Sequence, residues 1–138
     1  MKKLNCILLI DDNVDDNFIH SLVIKEANAA ENIKTATDGQ KALEYLEKSK
    51  EDQNQNPFPD LIFLDINMPK LNGFQFLEKA KENKYFDTGK KVVLVMLTGS
   101  LNPNDEKTAK ENFANEINDY KIKPLTAEIL KEIIEKYF

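Results

Sequence analysis

Residues 60–69 read Asp60-Leu61-Ile62-Phe63-Leu64-Asp65-Ile66-Asn67-Met68-Pro69. The run Leu61 to Leu64 is too short for an ordinary helix and contains no polar position, which fits a strand buried on both faces. Asp65 follows immediately, so a carboxylate is expected at the carboxyl end of that strand. Burial on both faces is the pattern of a parallel sheet, and the rest of the chain can be read outward from that expectation.

Two other apolar runs have the same form. Cys6 to Ile10 is followed at once by Asp11 and Asp12, and Val92 to Leu97 by Thr98. Weaker strand candidates lie at Ile33 to Ala36 and at Asp119 to Ile122, the second leading to Lys123. The stretches between carry helical spacing instead: Ile19, Leu22 and Val23; Ala42, Leu43 and Leu46; Phe74, Leu77 and Ala80; Ala109, Phe113 and Ile117. A last helix from Thr126 places Ile129, Leu130, Ile133 and Ile134 on one side. Strand and helix alternate through about five units. Each parallel crossover must return over the sheet, so a doubly wound α/β fold with helices on both faces is expected. The polar stretch Ser49 to Pro59 should either lengthen the second helix or form a loop. No internal repeat or glycine-rich linker divides the chain.

The chain has 138 residues, 41% hydrophobic and 31% charged, which suits one compact domain over 1–138. Its 19 basic residues are all lysines and are outnumbered by 24 acidic ones, for a formal charge of -5. Nucleic-acid binders carry basic faces and use the planar guanidinium, so direct DNA or RNA binding is not expected. The longest apolar run is far below the roughly 18 residues of a membrane span. Asp11 and Asp12 also cut off the apolar segment after Met1-Lys2-Lys3 before it reads as a signal sequence. The lone Cys6 can form neither an internal disulfide nor a multi-cysteine metal site, and a reducing, cytoplasmic setting is expected.

In a parallel sheet, Asp11, Asp12 and Asp65 share the carboxyl edge, where open α/β folds bind ligands. Three neighbouring carboxylates repel one another unless a cation neutralises them, and their hard oxygens suit magnesium. Read alone, any one of them is an ordinary turn or helix-cap aspartate. Thr98 and Lys123 end two further strands at the same edge. A hydroxyl, an ammonium and a divalent cation around one carboxylate are the groups that phosphoryl transfer requires, with Asp65 as the nucleophile.

The order and spacing of these residues resemble the receiver domain of two-component response regulators. The resemblance rests on Ile7-Leu8-Leu9-Ile10-Asp11-Asp12-Asn13, on Asp60 to Pro69, on Leu71-Asn72-Gly73, on Leu97-Thr98-Gly99 and on Lys123-Pro124. It covers essentially the whole chain. It implies a flavodoxin-like, five-stranded parallel sheet of order 2-1-3-4-5. It implies that Asp65 accepts a phosphoryl group from a sensor histidine kinase, a phosphotransfer protein or a small acyl phosphate. Magnesium would be ligated by Asp12, Asp65 and the backbone carbonyl of Asn67, with Asp11 holding metal-bound water. Lys123 would pair with the phosphoryl oxygens, Lys123-Pro124 would be a cis peptide, and Thr98 would hydrogen-bond the phosphoryl group. Tyr120 would be the switch aromatic that follows the threonine. The surface of the fourth helix, fifth strand and fifth helix would then bind a downstream protein target or form a homodimer.

Two segments depart from the common receiver pattern. Ser49 to Pro59 is long, as in the small stand-alone regulators associated with phytochrome-type kinases that it resembles, and Asn102 to Asn118 is slightly extended. With the last helix ending at Phe138, no output domain is expected, and the signal is expected to pass by phosphorylation-dependent protein binding. His20, on the first helix without a supporting bundle, is expected to be a surface residue and not a phosphorelay histidine. The alternative is a small magnesium-dependent phosphohydrolase with Asp65 as nucleophile. Against it, Asn67 stands where such enzymes usually carry a second aspartate as acid/base, and no substrate-cap segment is evident.

Overall fold

The computed structural model describes residues 1–138. Strands and helices alternate as β1 Leu4–Ile10, α1 Val14–Glu26, β2 Ala30–Ala36, α2 Gly39–Glu51, β3 Leu61–Leu64, α3 Gly73–Glu82, β4 Val93–Thr98, α4 Pro103–Asn112, β5 Asp119–Ile122 and α5 Ala127–Tyr137. The strands form one parallel sheet in the order β2-β1-β3-β4-β5. That is the expected doubly wound arrangement, with β3 at its centre.

The alternation of side chains along each strand explains why the central runs contain no polar residue. Leu8, Ile10, Ile62, Leu64, Leu94 and Met96 point to one face, where they meet Leu46 of α2 and Phe76 of α3. Ile7, Leu9, Leu61, Phe63, Val95 and Leu97 point to the other, where they meet Ile24 of α1 and Leu130 and Ile133 of α5. Both faces are dry, so both parities must be apolar.

Register then sets the working edge. Ile10 pairs with Leu64 and Thr98 pairs with Ile122. The residues just beyond are therefore neighbours: the Asp65 N–H donates to Ile10 O at 2.9 Å, and the Lys123 N–H donates to Thr98 O at 2.8 Å.

Several boundaries differ from the sequence reading. β2 begins at Ala30, because an edge strand can carry the polar Glu31 and Asn32 that hid its first half. β1 likewise starts at Leu4, and β4 runs from Val93 through Thr98. α4 ends at Asn112, and Phe113, its C-cap, stacks on Phe74 with ring centroids 5.2 Å apart. In the 49–59 stretch α2 extends to Glu51, after which the loop turns inward and buries Pro57 and Phe58. The Tyr45 hydroxyl donates to Pro57 O and the Lys90 ammonium to Phe58 O, so this loop is tied down at both ends of its buried tip. No helix is long and apolar enough to cross a membrane.

α1 departs most. Its inward face is Asn17, His20 and Ile24, with the half-buried Val23 packed beside them as expected, and not Ile19 and Leu22. Ile19 and Leu22 are exposed, and so are Val14 and Phe18, at 65% and 62%. The helix is apolar on more than one side, so spacing alone does not choose the buried face. The choice is made by Asn17, whose side-chain amide donates to Asp11 O at 2.9 Å and fastens α1 to the end of β1. His20 follows it inward and is buried, which corrects the surface role expected for it. Burial pushes its imidazole pKa down, against the pull of Asp16, so the ring is held neutral.

Candidate functional site

Four of the expected residues converge at the carboxyl edge. One carboxylate oxygen from each of Asp11, Asp12 and Asp65 lies within 4.8 Å of the others. Asp11 and Asp65 are buried while Asp12 is exposed at the rim. The Lys123 ammonium enters this group from β5, 2.6 Å from Asp11 Oδ2 and 3.6 Å from Asp65 Oδ2. The Lys123-Pro124 peptide is cis, as expected.

Asp65 is held asymmetrically. Its Oδ1 accepts the Ile66 N–H at 2.9 Å, which leaves Oδ2 facing Lys123. Burial pushes the Asp65 carboxyl up to about 6, the negative charge of Asp11 adds to the rise, and the Lys123 ammonium, the Ile66 N–H and the Thr98 hydroxyl pull the other way. Burial alone would push Lys123 down, yet the surrounding carboxylates hold it above its ordinary value, so it stays protonated.

Thr98 is fully buried as the last residue of β4. Its Oγ1 accepts the Ser100 N–H at 3.1 Å, and the Ser100 hydroxyl donates to the Asp105 carboxylate in the first turn of α4. A continuous hydrogen-bonded path therefore joins the edge of the sheet to α4. Tyr120 packs on the core from β5 with its hydroxyl buried and without a hydrogen-bond partner. Asn67 lies exposed on the loop after β3, two residues past Asp65. That loop is shaped by Gly73, whose N–H donates to Ile66 O at 2.8 Å. An added Cβ there would sit 2.4 Å from Asp65 O, so only glycine lets α3 start this close to Asp65.

One residue of the site was missed in the sequence. Asp16, in the first turn of α1, places its Oδ2 2.9 Å from the Lys123 ammonium. A signal was available: a helix that starts at the working edge presents its first turn to that edge, and Asp16 lies five residues after Asp11.

The response regulator receiver domain profile matches residues 7–135. The chain belongs to the response regulator receiver domains. This receiver domain is 32% identical over 109 residues to response regulator Rcp1 of a Synechocystis species, covering 79% of this chain and 71% of that protein. It is 30% identical over 127 residues to a probable methanogenesis regulatory protein, FilR2, of Methanothrix harundinacea, with 89% and 77% covered. Among solved structures, a two-component response regulator from Cytophaga hutchinsonii superposes with a TM-score of 0.85 at 29% identity, covering 99% of this chain and 98% of that one. The bacteriophytochrome response regulator AtBRR superposes at 0.74 with 26% identity, covering 98% and 93%. The flavodoxin-like fold and the signalling class of this receiver domain follow, and the phosphohydrolase alternative is not favoured. A receiver domain works with histidine kinases or phosphotransfer proteins, and this one carries an acidic cluster at the expected edge.

Proposed function

We propose that this receiver domain, as a single cytoplasmic unit, accepts a phosphoryl group on Asp65 from a sensor histidine kinase or phosphotransfer protein and catalyses that transfer itself. The observation that carries the reading is Asp65 Oδ2, paired at 3.6 Å with the Lys123 ammonium, at an edge where Asp11 and Asp12 converge with it. Oδ2 attacks phosphorus and the P–N bond of a phosphohistidine, or the P–O bond of an acyl phosphate, breaks. The new bond is an acyl phosphate on Asp65, and the leaving group keeps the bonding pair.

Magnesium is the cation that suits this donor set. The oxygens are hard, they lie within 4.8 Å of one another, and the burial and the Asp11 charge that together raise the Asp65 carboxyl leave a negative site that a divalent cation would neutralise. Asp12, Asp65 and the Asn67 carbonyl would hold it, with Asp11 acting through water, and bound there it neutralises charge on the phosphoryl oxygens. Lys123 pairs with those oxygens from the other side. Thr98 turns its hydroxyl from Ser100 to the phosphoryl group, Tyr120 follows, and the α4-β5-α5 surface changes its affinity for a downstream protein or a second copy.

Incubation with acetyl phosphate and magnesium, followed by intact mass measurement, tests this. One phosphate-sized increase is expected, and none when chelator replaces magnesium from the start. No increase, or an increase that persists in Asp65→Asn, overturns it.

The exposed side of α1 supports a helical donor. Val14, Phe18 and Leu22 follow one another at i, i+4 and i+8, with Ile19 beside them, and all are exposed on the helix whose first turn reaches the site through Asp16. Phe18→Asp is expected to slow phosphotransfer from the cognate kinase by about tenfold or more, because a charge in an apolar docking face removes a central anchor. Its rate with acetyl phosphate should stay within about twofold, since Phe18 does not touch the reacting atoms. Equal losses with both donors would place the defect in the site and not in docking.

A further inference from the structure

Lys123 is bonded by a carboxylate that phosphoryl chemistry does not use. Its ammonium lies 2.6 Å from Asp11 Oδ2, 2.9 Å from Asp16 Oδ2 and 3.6 Å from Asp65 Oδ2. Asp16 stands outside the three acids whose oxygens converge. Its carboxylate makes one hydrogen bond, and that bond is to Lys123. Its charge also acts on the buried His20, pulling that imidazole pKa upward against burial.

An ammonium has three protons to give, and here they face three acidic side chains. A phosphoryl group arriving on Asp65 Oδ2 is a new acceptor with several charged oxygens, and to serve it the ammonium has to loosen an existing bond. The Asp16 pair is the natural one to yield, because its carboxylate is 32% exposed while those of Asp11 and Asp65 are 6% and 8% exposed, so water can replace the lost partner. Asp16 also keeps a negative charge within reach of the lysine that must neutralise the phosphoryl oxygens.

We infer that Asp16 is a positioning residue: its bond to Lys123 holds the ammonium back from a phosphoryl group on Asp65 and so weakens the retention of that group. The inference rests on the phosphoacceptor role of Asp65 proposed above. Asp16 acts only through Lys123 and touches no reacting atom.

Asp15 supplies the control. It lies in the same first turn of α1, where either acid favours the positive end of the helix, but it is exposed and makes no ion pair with Lys123. Calorimetric titration with beryllium trifluoride, a phosphoryl mimic, in the presence of magnesium reads retention directly without turnover. Asp16→Asn is expected to bind the mimic about three- to tenfold more tightly than the wild type, the size of one charge-assisted, partly exposed pair. Asp15→Asn should stay within about twofold, and Asp16→Glu, which can still reach the ammonium, should resemble the wild type. In the metal-free, unphosphorylated protein the Lys123 ammonium protons should exchange measurably faster with water in Asp16→Asn, by NMR, than in the wild type or in Asp15→Asn. Unchanged or weaker binding by Asp16→Asn, equal gains in both asparagine variants, or a glutamate that behaves like asparagine overturns the inference alone. Failure of the wild type to bind the mimic overturns the phosphoacceptor reading and this inference with it.

Discussion

Asp65→Asn is expected to abolish phosphorylation and, with divalent cations removed, to make the folded protein more stable. The first effect follows because the amide oxygen is a poor nucleophile and yields no acyl phosphate. The second follows from the environment of the carboxylate. Burial and the charge of Asp11 raise its pKa from 3.8 to about 6, and a rise of that size corresponds to about 3 kcal/mol of disfavoured charge. Asparagine removes that cost and keeps an acceptor oxygen for the Ile66 N–H. It gives up the Lys123 pair, but that pair is the longest of the lysine's three, and Asp11 and Asp16 remain. The net gain should be about 1–2 kcal/mol at neutral pH, a rise of roughly 3–8 °C in Tm.

The pH dependence gives the sign a second check. Between 3.8 and about 6 the folded wild type binds a proton on Asp65 that the unfolded chain does not. Wild-type stability attributable to this group is therefore full below the unfolded pKa and is lost as pH rises through the folded one. The variant has no such proton, so its advantage should be full above that window and vanish below it. Thermal unfolding of both proteins in chelator, at neutral pH and at the acid end of the window, measures this. Equal midpoints at neutral pH would contradict it. Added magnesium should narrow the difference by stabilising the wild type alone.

Gly73→Ala is expected to cost about 3 kcal/mol and to slow phosphorylation as well. Its new methyl would lie 2.4 Å from Asp65 O and 3.1 Å from Ile66 Cα. Both are backbone atoms in a loop whose geometry sets the acceptor, so relief requires moving α3 or the acceptor itself. The hydrogen bond from Gly73 N–H to Ile66 O would be stretched by the same movement. Gly99→Ala is the matching control, because an added Cβ there meets nothing within 4 Å. Its stability should change by less than about 0.5 kcal/mol. Denaturant unfolding of the two variants, with phosphorylation followed by mass, separates them. A Gly73→Ala protein as stable as Gly99→Ala would show that the loop after β3 is free to shift.

The central sheet was legible because strands buried on both faces leave a simple mark. Leu61–Leu64 and the apolar part of β1 have no polar interruption, and Asp11 and Asp65 fall at one edge because Ile10 and Leu64 are paired. The start of β2 left no such mark, since Glu31 and Asn32 on an edge strand are free to be polar. α1 was misread for a different reason. Helical spacing shows that apolar residues share a side, not whether that side meets the core or solvent. Here Asn17 and His20 go inside while Phe18 and Ile19 stay out, and the decision rests on the Asn17 bond to Asp11 O, which joins two elements and cannot be seen in either alone. Asp16 escaped notice along with them, because its importance comes from Lys123, 107 residues away in the chain.

The unsatisfied Tyr120 hydroxyl has a consequence for how fast and how readily the ring can reorient. A phenol shut away from water without a partner carries roughly 1–3 kcal/mol of desolvation cost. Burial, followed by the acids Asp105, Glu106 and Asp65, also raises its pKa, so ionisation offers no relief. Only apolar contact retains the ring, as a ball is retained in a shallow cup. A rotamer that wets the hydroxyl has no hydrogen bond to break on the way out, which lowers both the barrier and the energy gap. Relaxation-dispersion NMR should find this one aromatic ring exchanging between orientations in the resting protein, while Phe58, Phe63 and Phe76, fully enclosed in the two core layers, stay still.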